Sequence, residues 1–468
     1  MDVLHPRCAG LDVHKDSVVA AVRPAEPGGV RSEVRRFDTT TPGLLALSDW
    51  LAECGCTHAV MEATGVYWKP VWHVLSDGDL TLVLANAAHV KSVPGRKTDV
   101  ADATWLAELL AHGLVRASFV PDAPVQAMRA LLRTRKQLVR EQSGHVQRLQ
   151  KTLEDANLKL ASVLTDIMGL SGRAILEALV AGETDPERLL ALVHRRVRAE
   201  PAQLRAALSG RVSKSHRFLL RLHLGQYDAL AKALEEIDAE VERGLDPFRD
   251  AVHLLRTVPG IGDLSAQAIV AEIGTDMGRF PTAAHLVSWA GLCPRSDESA
   301  GKRRSTRLRK GAPWLKATLV QCAWAAARKK DGYLRAQFQR LRQRRGPKKA
   351  VCAVAASILT AIWHILRDGT VYQDLGAAHF HKRSPERQAH HLARQIAKLG
   401  FTCSITPTPG VAVETSPPRF CMLPGKPASL PPSLPPAQDA PDAKSRRRAP
   451  EPRGPWRDRG CFRRPGSN

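Results

Sequence analysis

From residue 9 to residue 112 the apolar pattern keeps changing period, and this constrains the fold more than any other feature. Residues 9–22 are small and β-branched (AGLDVHKDSVVAAV) and predict a strand. Pro24, Pro27, Gly28 and Gly29 make a turn, and the more polar RSEVRRFDTT predicts a second strand, paired with the first as a hairpin. TPGLLALSDWLAEC switches to helical spacing, with Thr41 as N-cap and Pro42 at the first helical position. THAVMEATG predicts a short buried strand, YWKPVWHVLSDG a helix ending at Gly78, and LTLVLANAA another buried strand. KTDVADATWLAELLAH, residues 97–112, predicts an amphipathic helix stopped by Gly113. Two adjacent strands followed by alternating helices and strands imply an α/β domain over residues 1–122, built on a mixed sheet.

Residues 123–249 change character to long helical segments rich in Arg, Gln and Leu. Tyr227, Leu230, Leu234, Ile237 and Val241 keep gaps of three and four, a heptad seam of about two heptads. So short a seam predicts a helical hairpin or a dimer contact. Leu131, Leu138 and His145 keep a similar spacing upstream. Residues 250–401 predict a compact, mainly helical domain. From Pro407 onward lie 15 of the 32 prolines, so residues 402–468 predict a disordered tail rich in Pro and Arg.

The 468-residue chain carries 69 basic against 46 acidic residues, a formal charge of +23. A balance this basic suits a polyanionic partner, nucleic acid ahead of an anionic membrane. Residues 295–349 hold 18 Lys/Arg against 3 Asp/Glu, with Trp314, Trp324 and Tyr333 interleaved. Such a stretch predicts a nucleic-acid groove; the plainer reading is a solvated basic face. Lys302, Arg303, Arg304, Arg307, Arg309 and Lys310 are its densest part. The nine cysteines show no CxxC framework and read as reduced thiols of a cytoplasmic protein; Cys54-Gly-Cys56 is too tight for a zinc pair. The first residues do not form a signal peptide, and AVCAVAASILTAIWHIL, from Ala350 and carrying His364, reads as a buried or partner-facing helix rather than a membrane span.

Four carboxylates fall at positions where this α/β pattern could gather them. Asp12 lies within the first strand, Glu62 at the end of a later one, and Asp99 and Asp102 three apart at a helix start, hence on one helix face. Carboxylates from two strands and a facing helix can converge on one or two hard divalent cations, magnesium or manganese. The bland alternative for Asp99 is a helix cap or dipole partner. Asp12 and Glu62, set among apolar residues, each need a partner if buried. Farther on, TVPGIGDLSAQAIVAEIG places Gly260 and Gly262 in a turn between two helices. Such a turn either exposes N–H groups to a phosphate or is a packing joint.

GLDVHKDS, VMEATGVYW and NAAHVKSVPGRKTDVADATWLAELL resemble three sequence blocks of the DEDD transposases of bacterial insertion sequences, the insertion-sequence one-ten family. The catalytic domain of that family is similar to the RuvC resolvase, a ribonuclease-H-like fold, and the resemblance implies a metal-binding quartet at Asp12, Glu62, Asp99 and Asp102. The stretch FPTAAHLVSWAGLCPRSDESAGKRRSTRLRKGAPWLKATLVQCAWAAAR resembles the family's C-terminal transposase domain, in which a loop serine before a Gly-Lys attacks DNA. Ser299 matches that serine. The family more often has Gly at Ala300 and Ser at Glu298, so Ser296 comes second and Ser305 third. The resemblance spans about residues 9–401. It implies DNA partners (element ends and target), a structured guide RNA, and a dimer or tetramer joined through the central helices. The basic segment around Arg133, Arg135, Lys136 and Arg140 suits such an RNA, or is a plain exposed helix. Two other functions fit the same residues. One is a metal-dependent, structure-specific nuclease using water in place of serine. The other is a non-catalytic basic nucleic-acid-binding protein.

Overall fold

In the computed structural model, the structure describes residues 3–23, 32–63, 65–86, 99–294, 297–299, 301–305, 307–309, 311–382 and 385–405. The Pro-rich segment from residue 406 lies outside them. The N-terminal region is built on a five-stranded sheet of β1 (Cys8–Val13), β2 (Ser17–Arg23), β3 (Glu33–Asp38), β4 (His58–Glu62) and β5 (Thr81–Ala85), in the order β3-β2-β1-β4-β5. β1, β2 and β3 pair antiparallel, whereas β4 and β5 join parallel to β1. The single strand expected over residues 9–22 is two. A continuous strand of that length would run about 46 Å. Instead the polar His14-Lys15-Asp16 turns the chain back, closed by the His14 amide donating to the Ser17 carbonyl at 2.9 Å.

Strand alternation sorts the core into two layers. Leu11, Val13, Ala9 and Met61 pack against Leu44, Leu47, Trp50 and Leu51 of α1 (Thr41–Glu53) and Val71 and Leu75 of α2 (Trp68–Leu75). The α1 N-cap is Thr40, one residue before the expected Thr41: its side chain accepts from the Gly43 amide, and Pro42 fills the first turn where no N–H is needed. The opposite face, Cys8, Gly10, Val60 and Ala85, is covered by α3 (Asp99–Ala111). A side chain at Gly10 would lie 2.0 Å from the Ala103 carbonyl oxygen and 2.5 Å from the Ala107 nitrogen, so the helix backbone rests directly on the strand.

α4 (Ala123–Asp155) and α9 (Lys214–Gly244) form a long antiparallel hairpin. Its crossing points are Arg135 to Asp238, Gln142 to Tyr227, His145 to His223 and Asp155 to His216. The heptad seam on α9 therefore closes against the chain's own α4. Short helices α5 (Leu160–Val163), α6 (Leu170–Ala181), α7 (Pro186–Ala191) and α8 (Pro201–Leu208) cap the far end over Leu149, Leu153, Ile175, Leu176 and Leu224.

At the near end, Val125, Met128, Val241 and Phe248 join a second helical core. That core is made by α10 (Arg249–Arg256), α11 (Asp263–Ile273), α12 (Ala283–Trp289), α13 (Pro313–Ala326), α14 (Tyr333–Arg345) and α15 (Pro347–Asp368). Among the described residues α15 is the one helix long and apolar enough to cross a membrane. Here it is a core helix, with Val354, Ala355, Ile358, Leu359 and Ile362 fully buried. Two strands, β6 (Asp297–Ser299) and β7 (Lys302–Ser305), stand between α12 and α13, and α16 (His379–Lys382) and α17 (Pro385–Lys398) complete the described chain.

Candidate active site and nucleic-acid interface

The acidic residues meet through strand register. β1 and β4 run parallel with Leu11 opposite Met61, which makes Asp12 and Glu62 the next matched pair. Neighbouring strands lie about 4.8 Å apart, and matched residues share a face. Asp12 shares its face with Gly10, the face that α3 covers, and Ala103 lies over Gly10. Asp102, one residue earlier on α3, is carried to the same end of the sheet. Asp99 opens α3, three residues before Asp102, but its side chain lies outside the described ones. Asp12 is mostly buried, 16% exposed at its side chain, and the His14 Nε2 is 3.2 Å from its Oδ2. Glu62 and Asp102 are half-buried and have no ion-pair partner among the described residues. Three carboxylates at the positive end of a helix, two of them without an ion-pair partner among the described residues, have the donor chemistry of a hard-cation site. Among the described residues, no three metal-type side chains close on one point.

Burial pushes the Cys8 thiol up to about 11 and the Cys56 thiol up to about 12, so both stay neutral. No cysteine among the described residues is in a disulfide.

Ser299 was expected on a loop; the structure places it in a strand. β6 and β7 form a hairpin in which Ser299 pairs with Lys302 across Ala300-Gly301, and Gly301 takes φ +73°. Only glycine adopts that conformation readily, which fixes Ser299 as the last strand residue before the turn. Ser305 pairs with Asp297, and its hydroxyl accepts from the Arg307 amide at 3.2 Å. Ser296 and Lys310 lie outside the described residues, as do the side chains of Ser299, Arg303 and Arg304. Lys302, Arg307 and Arg309 are exposed, with no carboxylate partner among the described residues. At the root, Pro294 bridges to Leu308, and Gly291 and Gly311 press back to back: a side chain on Gly311 would meet the Gly291 nitrogen at 2.4 Å. Among the described residues, no extensive packing joins β6 or β7 to β1, β4 or α3.

Gly260 proves to be a packing joint. It takes φ +88°, and a side chain there would meet the Cys322 carbonyl at 2.3 Å and the Ala326 nitrogen at 2.7 Å, both on α13. Gly262 N-caps α11 on an open side, but the helix start already holds an acid, Asp263, paired to Arg256 at 2.9 Å.

The basic segment of α4 divides into two kinds of residue. Arg133 makes a bidentate pair with Glu272 at 2.8 and 2.9 Å, and Arg129 donates to the Ala271 and Glu272 carbonyls. Glu272 is 4% exposed, a buried carboxylate that its apolar neighbours in VAEIG could have flagged. Arg135 is held by Asp238. Lys136 and Arg140 lie with Arg133 around the Trp314 ring, 5.3–5.7 Å from its centroid. Burial, then the neighbouring Arg140, makes the Lys136 charge easier to lose.

Two family comparisons bear on these sites. A transposase family of the IS110 DEDD type matches residues 9–158, from the second residue of β1 through the rest of the sheet, α3 and α4. The IS116/IS110/IS902 transposase family matches residues 252–339, from α10 through the serine hairpin into α14. The chain belongs to this transposase family. It is 26% identical over 350 residues to a probable family 20 transposase of Pseudomonas aeruginosa, covering 73% of this chain and 90% of that one. It is 25% identical over 333 residues to the transposase for insertion sequence element IS1111A of Coxiella burnetii, covering 68% and 79%. An insertion element IS110 protein of Streptomyces coelicolor is 32% identical over 122 residues, 26% of this chain and 30% of its own.

In this DNA transposase the aromatics of the basic stretch have three different fates. Tyr333 is buried and stacked on Phe380, and Trp314 is ringed by cations. Trp324 is 39% exposed. In the same stretch of chain, Arg328, Lys329, Lys330, Arg335, Arg340, Arg342, Arg344, Arg345, Lys348 and Lys349 form no ion pair with any described residue.

Proposed function

We propose that this transposase cuts and rejoins DNA strands through a covalent serine intermediate, with the carboxylates on the α3 side of the sheet holding a divalent cation. The observation that carries the reading is the register that matches Asp12 with Glu62 beneath the first turns of α3. A mixed sheet ordered β3-β2-β1-β4-β5, with its acids at the ends of the two central parallel strands, supports a RuvC-like, ribonuclease-H-like domain. Asp12, Glu62, Asp99 and Asp102 would hold magnesium or manganese, which when bound neutralises charge on the phosphoryl oxygens. The Ser299 hydroxyl attacks the scissile phosphorus. The bond to the DNA leaving oxygen breaks, that oxygen takes up the proton serine gives up, and a phosphoserine ester forms. A free DNA hydroxyl then reverses the step on a new strand. Lys302, Arg307 and Arg309, exposed beside the hairpin, hold the DNA backbone.

Because no extensive packing joins the hairpin to the acidic end of its own sheet among the described residues, we assign strand exchange to a dimer or tetramer in which the two parts meet. The same separation favours the competing reading, a metal-dependent nuclease using water. Lys136 and Arg140, which have no carboxylate partner among the described residues, suit a guide RNA that would choose the DNA by base pairing. We place the work in the cytoplasm, on DNA and not at a membrane.

The test is a denaturing gel with labelled element-end DNA and magnesium. A protein–DNA adduct that disappears in Ser299→Ala and in Asp12→Asn supports the full scheme. Cutting without an adduct, unaffected by Ser299→Ala, leaves the nuclease. DNA processing unchanged in Asp12→Asn removes the metal site.

A further inference from the structure

Trp324 is the exposed tryptophan among the described residues, and it lies in the most cationic part of the chain. Its ring is propped, not buried. Phe338 of α14 meets it edge-on at 5.5 Å and 63°, while Phe338 itself is only 5% exposed. The cations are placed by helix periodicity. Arg328 follows Trp324 by four residues, in the turn that leaves α13 after Ala326. Arg342 and Arg345 follow Phe338 by four and seven, on the same face of α14. The aromatic surface is therefore flanked by exposed guanidiniums that have no ion-pair partner among the described residues. Trp314 makes the contrast: it sits in the same basic stretch, but three cations of α4 already occupy its surroundings.

We propose that Trp324 is a stacking platform for a base of an unpaired nucleic-acid strand, whose backbone is held by Arg328 on one side and by Arg342 and Arg345 on the other. This rests on the nucleic-acid reading above and adds to it the state of the strand. In a duplex, each base face is already covered by its neighbours, so a tryptophan on a helix surface finds only sugar and phosphate. In an unpaired strand the base faces are free, and stacking on an aromatic ring is tolerant of sequence. A border of cations unpaired among the described residues fits a polyanion better than a neutral peptide surface. DNA and RNA strands share this chemistry.

The experiment uses the full chain and measures anisotropy of labelled dT20, U20 and a 20-base-pair duplex across a salt series. Trp324→Ala is expected to weaken binding of the unpaired strands roughly tenfold, a loss typical of one stacked base. The duplex affinity should stay as it is, and so should the salt slope, since a stacked ring releases no counterions. Trp324→Phe should recover most of the loss. Arg342→Ala should instead lower the salt slope by about one. A larger loss on dT20 than on U20 identifies the strand as DNA, and the reverse identifies it as RNA. Equal binding by wild type and Trp324→Ala, or an equal loss on the duplex, overturns the stacking proposal alone. Wild-type protein that binds none of the three probes overturns the nucleic-acid reading with it. If Trp324→Ala melts well below wild type, the Trp324→Phe result decides: a ring that binds no better than alanine overturns the proposal.

Discussion

The helical hairpin and the helices α13–α15 are both rich in arginine, yet they use it in opposite ways. In the hairpin, carboxylates of α9 meet the cations: Asp238 holds Arg135, Asp228 holds Arg173, Glu240 holds Arg243 and Glu242 holds Arg249. In the stretch from Arg328 to Lys349 the ten Lys and Arg residues form no ion pair with a described residue. Exposed ion pairs contribute little to stability, typically about 0–1 kcal/mol. What pairing does at Arg135, Arg173, Arg243 and Arg249 is to cancel the local field there, leaving those four cations with little charge to offer a polyanion. A count of Arg and Lys per window treats the two regions alike; the position of the neighbouring acids separates them.

The largest effect that could sharpen this contrast concerns the one deeply buried pair. Glu272→Ala strands Arg133 and Arg129, and should cost about 3–5 kcal/mol, read as urea unfolding of the helical body. A loss under about 1 kcal/mol would show that the guanidiniums escape to water and that the brace is cosmetic. Next comes Trp314→Ala, which removes a half-buried ring and the three cations' seat on it. It should cost about 2–3 kcal/mol by the same measurement. Unchanged stability there would place Trp314 with Trp324 among the available aromatics and blur the distinction.

The comparison itself is tested by two triple variants in a salt-dependent DNA-binding series. Arg342→Ala, Arg344→Ala and Arg345→Ala together should weaken duplex binding more than tenfold at low salt and lower the salt slope by about 2.7, near 0.9 for each phosphate no longer neutralised. Arg135→Ala, Arg173→Ala and Arg249→Ala together should leave the slope as it is. Equal slopes for the two triples would break the comparison. The smallest effect is expected from Arg173→Ala, whose pairs with Asp228 and Glu177 are largely exposed. Its unfolding free energy should fall by about 1 kcal/mol or less.

Much of the sheet and its covering helices was legible, because a period of two or of 3.6 is written into short stretches of chain. The break at His14-Lys15-Asp16 was harder to see, since the residues on both sides suit a strand and only the domain's width forces the fold-back. Asp12 and Glu62 could be named as candidates from their apolar neighbours. Their matching across β1 and β4 could not, because register is set by pairing between segments almost fifty residues apart. The serine hairpin was unreadable as strands: DES and KRRS have little β propensity, and their pairing depends on Gly301 and on the glycine contact at the root. On α4 the sequence shows four equal cations, and only tertiary structure reveals that Arg133 and Arg135 are committed to Glu272 and Asp238.

The glycine contact at the base of the serine hairpin has a wider consequence. Because Gly291 and Gly311 touch, the chain leaves the helical body and returns to it at nearly the same point. The segment between Pro294 and Leu308 is then a detour closed at its root. Mutation inside such a detour, in length, charge or the identity of the serine, is uncoupled from the folding of the helices that carry it. The transposase can thus vary the tip that would touch DNA while its scaffold stays under a separate selection for stability.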